Sequence, residues 1–280
     1  MPPRIAFISI CLLASFAIGC GRPAHVKPDP TTEPEPIIVP PVTLPNPPTP
    51  PVKPPVKPPQ PEEVALPKPH VLYTFDGDKS NRGLGDAQLR ILNAPLNSGF
   101  ISLNGQYPQG SDTASDVTVT TPDIGYSGFT VAVRFKADQF AKPREGTDGV
   151  SPILVAGPGY RWFEIGRNSD GCVEVTFNNN RERIATRVEI AAEKWSVVIC
   201  SVDALIGRMT VSVNGGNPER FDLPRKFAFE VAATDQRDID KVWGFVNYSN
   251  GLTYKGQVGG FLIYDTALTA EQITKIPLKP

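Results

Sequence analysis

Histidine is almost missing from this chain: its 280 residues include two, His25 and His70. A Ser-His-Asp triad, a Cys-His pair or a His-ligated zinc site therefore has next to nothing to be built from. An excess of basic charge is missing as well. From His70 to Pro280 there are 22 Lys and Arg against 24 Asp and Glu, a net charge of −2. No basic field exists to draw nucleic acid or an anionic membrane surface. The apolar run near the start, Ile5 to Ile18, has 14 residues, short of the roughly 20 that a membrane-spanning helix needs. Cysteine is scarce, with four in all, and Gly21 to Pro69 holds no aromatic residue.

Proline, by contrast, is abundant and localised: Gly21 to Pro69 carries 19 of the 31 prolines, beginning directly after Cys20. Upstream, Arg4 is the only charge before the Ile5–Ile18 run, which fits the positive n-region and apolar h-region of a secretory signal. Ala17-Ile18-Gly19-Cys20 resembles the bacterial lipoprotein box, with Ala17 where Leu is usual. That resemblance implies diacylation of Cys20, which becomes the mature N-terminus; a conventional cut after Ala17 is the competing reading. Gly21 is not the Asp associated with inner-membrane retention, so the resemblance implies the outer membrane. Several acyl chains suit stable anchoring, where one chain binds only reversibly.

Proline fixes φ and removes the amide donor, so Gly21 to Pro69 supports neither helix nor sheet. Two tandem Val-Lys-Pro-Pro copies, 52–55 and 56–59, suit extended polyproline II, with a reach on the order of 150 Å. A spacer is the reading for such a segment in a secreted chain, and a PxxP ligand the alternative. The organisation expected is a signal over 1–19, a lipidated Cys and Pro-rich disordered linker over 20–69, and one domain over 70–280.

In that domain short apolar alternations recur, each closed by Gly, Asn, Asp or Pro, the pattern of an all-β sandwich. Phe129, Val131, Val133 and Phe135 share one face; so do Val198, Cys200 and Val202, and Val173, Val175 and Phe177. Eleven or twelve strands are expected in all. One helix is expected at the end, where Thr269 and Gln272 form a capping box and Leu268, Ile273 and Ile276 pack on a sheet edge.

Several segments carry a resemblance to a known family. They are Leu72–Gly77, Phe129–Lys136, Lys194–Asp203, Arg208–Gly215 and above all Gly256–Ile273. In this order they resemble the concanavalin A-like jelly-roll superfamily, and within it the laminin G-like domains of bacterial surface proteins, over about Val71 to Ile276. Arg134 stands where the family usually has Trp, Ser196 and Val197 where it has a His pair, and Ser212 where it has Tyr. The resemblance implies two antiparallel sheets, recognition of glycans or protein surfaces, and in many members a bound Ca²⁺.

For function, the expectation is a lipid-anchored envelope protein whose head binds a glycan or a cell-envelope protein without catalysis. A glycosidase of the same fold and a purely structural envelope role are the alternatives. Glycosidases of the superfamily align their carboxylates along one strand. No such string occurs here; Glu164, Asp170 and Glu174 are split across a hairpin and read as surface carboxylates. Sugar faces stack on aromatics and hydroxyls seek amides, which makes Tyr160, Trp162, Asn247, Tyr248 and Asn250 the ligand-binding candidates. Asp76, Asp78 and Asp86 are the candidates for Ca²⁺, whose hard-oxygen preference they satisfy. Cys172 and Cys200 could form a disulfide in an oxidising compartment, although their strand phases point them apart.

Overall fold

The alternation at Phe129 to Phe135 becomes one face of a long strand, and its neighbours follow the same rule. A computed structural model describes residues 64–106, 113–121, 128–141, 150–156, 163–177, 182–223, 242–245 and 254–278. All belong to the second of two units into which the chain divides, Gln60–Pro280; the first, Met1–Pro59, lies wholly outside the described residues.

Fifteen strands occur among the described residues. The first five are β1 (Val71–Tyr73), β2 (Gln88–Leu92), β3 (Leu96–Asn97), β4 (Phe100–Asn104) and β5 (Asp116–Thr120). Then come β6 (Gly128–Gln139), β7 (Ser151–Ala156), β8 (Phe163–Arg167), β9 (Cys172–Phe177) and β10 (Glu182–Glu189). The last are β11 (Trp195–Asp203), β12 (Arg208–Val213), β13 (Glu219–Asp222), β14 (Val242–Gly244) and β15 (Lys255–Tyr264), followed by helix α1 (Ala270–Ile273). They form two antiparallel sheets. One has eight strands, in the order β13-β12-β11-β6-β15-β4-β3 with β1 also on β15; the other has seven, in the order β10-β9-β8-β7-β14-β5-β2. The all-β jelly-roll architecture read from sequence is the one observed.

The main core lies between the sheets. Phe129, Val131, Val133 and Phe135 of β6 and Val198, Cys200 and Val202 of β11 meet Phe163, Ile165, Val173, Val175 and Phe177 of the facing sheet. Trp243 sits at the centre, with ring centroids 5.7 Å from Phe129 and 6.0 Å from Phe163. Its indole N–H donates to Thr121 Oγ1 at 3.1 Å, which satisfies the one polar atom of a buried ring.

A second apolar cluster covers the outer face of the eight-stranded sheet. Ala132, Val197, Ile199, Leu262 and Tyr264 are sealed there by Leu268, Ile273 and Ile276. The capping box is present, with Gln272 N–H on the Thr269 side chain and the Gln272 side chain on the Thr269 N–H. The helix therefore lies on a sheet face, not on the expected edge. Residues before His70 join the same seal. Leu66 packs beside Leu72 and Leu278, Gln272 Nε2 donates to the Ala65 carbonyl at 3.0 Å, and Lys275 Nζ to that of Val64 at 2.7 Å.

Candidate functional site

The outer face of the seven-stranded sheet differs from its counterpart in chemistry. Each strand sends its apolar alternates inward, so its other alternates line up outside. The register places Arg90, Thr118, Gly244, Val155, Glu164, Thr176 and Arg183 in one row across all seven strands. At about 4.8 Å per strand, six steps give a row of roughly 29 Å. Leu92 with Asp116, and Gly166 with Glu174 and Ala185, flank it. Asp116, Thr118, Glu164, Glu174 and Thr176 are all buried.

Burying carboxylates demands partners. Asp116 Oδ2 lies 3.5 Å from Arg90 Nη1 at one edge of the sheet. At the other edge the Arg183 Nε donates to Glu174 Oε1, and Asn168 Nδ2 donates to Glu174 Oε2 at 3.3 Å. Asn168 is itself fixed, because its Oδ1 accepts from the Asp170 and Cys172 amides at 3.1 and 3.0 Å. Glu164 and Glu174 are diagonal neighbours on adjacent strands, so their Cβ atoms stand about 7 Å apart. The hairpin that splits them in sequence brings them together in space. They are buried on one face, not the solvated surface carboxylates expected.

Asp76 and Asp78, two of the three residues expected to hold Ca²⁺, meet a cation from the chain itself. Arg82, four residues beyond Asp78, supplies the cation: its Nη1 is 3.8 Å from Asp76 Oδ2 and its Nη2 is 3.1 Å from Asp78 Oδ2. The Ser80 amide donates to Asp78 Oδ1 at 3.0 Å, and with Arg82 it holds the Asp78 carboxyl below its ordinary range. Asn81 Oδ1 is taken by the Leu72 and Gly83 amides at 2.8 and 2.9 Å. Asp86 is exposed on the next turn. Among the described residues no three His, Cys, Asp or Glu side chains converge as a metal would require.

The disulfide is corrected too. Cys172 and Cys200 are both free. Cys200 points into the core from the eight-stranded sheet, while Cys172, one residue out of phase with Val173, faces outward on the other sheet. Opposed Cβ directions on separate sheets cannot be bridged. Burial pushes the Cys200 thiol far up, and desolvation with the nearby Glu189 and Asp170 raises that of Cys172. Tyr160, Trp162, Asn247, Tyr248 and Asn250 lie outside the described residues.

The row on the seven-stranded sheet was missed at sequence level, Arg90, Asp116, Thr118, Thr176 and Arg183 included. Its signal was the choice of Asp and Thr as polar alternates in β5, where a solvated strand carries longer charged side chains.

A laminin G form of the concanavalin A-like lectin/glucanases superfamily matches residues 111–274, more than half the chain. The chain belongs to this superfamily. Among solved structures, it is similar to the binding domain of botulinum neurotoxin DC in complex with SialylT, at 14% identity and a TM-score of 0.52. The serotype D ligand binding domain in complex with N-acetylneuraminic acid gives the same two values. Both alignments cover 75% of this chain and 50% of the other. The neurotoxin DC binding domain in complex with rat synaptotagmin II reaches 15% identity and a TM-score of 0.53, covering 75% and 51%. At such identities these members of the fold share its architecture, and this chain spans about half the length of each. No curated protein sequence matches the chain.

Proposed function

We propose that the head is a non-catalytic recognition module that binds a glycan or a protein surface on the outer face of the seven-stranded sheet. The observation that carries this reading is the contrast between the two outer faces. One is sealed by apolar side chains and α1; the other is a buried, polar, ion-paired row spanning seven strands. A sheet face that served packing alone would be apolar. Val64 to Leu66 belong to the sealed side. In this reading Cys20 carries the lipid, residues 20–69 are the spacer, and the protein is displayed in the cell envelope, at the outer membrane.

Support for the ligand class comes from the similar solved domains, which are complexes with a sialic acid or with synaptotagmin. Among the described residues the row has no aromatic side chain, and Thr118, Thr176, Glu164 and Glu174 are buried, so a sugar would meet the exposed Arg90 and Arg183 at its two ends. Tyr160, Trp162, Asn247, Tyr248 and Asn250 are the stacking and amide groups that would complete such a site. Catalysis is disfavoured because both Glu174 oxygens are taken by Arg183 and Asn168, which withdraws them from a glycosidic oxygen. The diagonal placement of Glu164 and Glu174 is what favours a glycosidase as the second reading.

The test is a screen of the full chain against a glycan array, cell-wall polysaccharide and envelope proteins, with reducing ends assayed in parallel. Saturable binding without new reducing ends, weakened by Glu174→Gln, is the expected result. Hydrolysis abolished by Glu164→Gln or Glu174→Gln would overturn the binding reading. Release of Cys20→Ser from the membrane fraction checks the anchor.

A further inference from the structure

At one end of the sandwich a cleft of about 340 Å³ opens where the two sheets meet. Arg167 and Glu189 close strands of the seven-stranded sheet, Trp195 opens β11, and Asn214 follows β12; the connection carrying Lys194 crosses between the sheets. That volume falls at the small end of ligand sites. The cleft is separate from the polar row and consists entirely of described residues.

Trp195 is held rather than loose. The Arg134 guanidinium lies 3.8 Å from its ring centroid, and Phe100 meets it edge-on at 6.4 Å. Beneath, the bulge in β15 places Gly259, where a Cβ would come within 2.7 Å of the indole and 2.5 Å of Arg134 Nη1. Only a glycine leaves room for that stack. Arg167 is fixed as well, with Nε donating to the Ile190 carbonyl at 3.0 Å and the guanidinium 5.0 Å over Phe140. Asn214 accepts the Val197 amide at 2.8 Å through Oδ1, which turns its Nδ2 donors away from the strand. Among the described residues, Arg167, Lys194 and Glu189 form no ion pair. The cleft thus holds two cations against one carboxylate, in a head whose net charge is −2.

We propose that this cleft is a second binding site, one that takes an acidic monosaccharide unit. Arg167 and Lys194 receive the sugar carboxylate, the charge-assisted pairing that guanidinium and ammonium groups favour. Trp195 meets the apolar edge of the ring, while Glu189 and Asn214 take hydroxyls. A neutral sugar leaves both cations unneutralised, so the site discriminates by charge.

The probe is glucuronic acid, titrated into the full chain with glucose and acetate at matched ionic strength as comparisons. Tryptophan fluorescence reads the response, and Trp195→Phe assigns it among the three tryptophans. Glucuronic acid should give a saturable change that glucose and acetate do not give. Lys194→Met, at an exposed position, should weaken it about ten-fold by removing one charge-assisted contact. Glu174→Gln should leave it intact, which separates this site from the polar row. If Trp195→Phe does not fold, the proton chemical-shift changes of glucuronic acid on binding measure the same affinities in its place. An equal response to glucose or to acetate, no saturable response to glucuronic acid, or an affinity unmoved by Lys194→Met would each overturn the proposal.

Discussion

The ion pair between Arg183 and Glu174 tests directly whether the polar row is a shielded face. The Glu174 side chain is 6% exposed and that of Arg183 30%. Replacing Arg183 with Met keeps most of the stem and removes the charge, leaving the carboxylate with Asn168 as its remaining partner. Exposed pairs contribute about 0.2–1 kcal/mol, whereas stripping the partner from a fully buried charge costs about 3–5 kcal/mol. With one partner buried, the other part-exposed and Asn168 retained, Arg183→Met should cost about 2 kcal/mol. For a domain of this size that lowers Tm by about 4–8 °C. Glu174→Gln should cost about 1 kcal/mol, because the freed guanidinium can still reach water. The double variant, with no stranded charge, should cost about 1.5 kcal/mol, giving a coupling of about 1.5 kcal/mol in a double-mutant cycle by urea unfolding. An Arg183→Met cost below about 0.5 kcal/mol would place the pair among surface ion pairs and refute the shielded face.

Three further outcomes follow from the same structure. Peptide mapping of the unfolded, unreduced protein should recover Cys172 and Cys200 each singly alkylated, and a peptide pair linked through them would contradict their placement on separate sheets. A chain beginning at His70 should be less stable than one beginning at Gln60 by about 2 kcal/mol, from the Leu66 contact and two part-exposed hydrogen bonds to α1; equal urea midpoints would show that Val64 to Leu66 hold nothing. Burial pushes the Tyr73 and Tyr264 phenols up to about 12, against about 10 in the unfolded chain. The folded head therefore binds more protons between those pH values, so this contribution is complete below pH 10 and is lost as pH rises towards 12. Tyr73→Phe and Tyr264→Phe should each remove tyrosinate absorbance that rises towards pH 12, and removal of absorbance that rises near pH 10 would count against it.

Twelve of the fifteen strands were legible in the sequence, and the three that were not have a common cause. β2, β3 and β13 each end a sheet path. An edge strand packs against one neighbour and keeps charged or polar residues to discourage further pairing. The Glu-Arg-Phe-Asp of β13 and the two residues of β3 leave too little apolar pattern to register. Interior strands such as β6 and β11 bury both faces, and their runs of Val, Ile and Phe announce them. The helix was found through its capping box, a local signal. Its seat on the outer face of the eight-stranded sheet depends on Ala132, Val197 and Leu262 converging from three strands, which no local pattern encodes.

The polar row is harder to read for the same reason, made stronger. It combines Arg90 and Thr118 with Gly244, then Val155, Glu164 and Arg183, because β14 inserts between β5 and β7 from far along the chain. In one dimension Glu174 and Thr176 are the polar alternates of an amphipathic strand, and a solvated face gives that pattern equally well. Composition separates the two cases. Strand β10, an exposed edge, fills its outward positions with Arg183, Ala185, Arg187 and Glu189. Strand β5, inside the sheet, fills them with Asp116, Thr118 and Thr120. Long charged side chains reach water and cost rotamer entropy when confined, whereas Thr is stiff and needs one hydrogen bond to be satisfied. Short polar alternates in an interior strand therefore mark a face shielded from bulk water and kept polar. In this head that face belongs to the seven-stranded sheet, while α1 seals the outer face of the eight-stranded one.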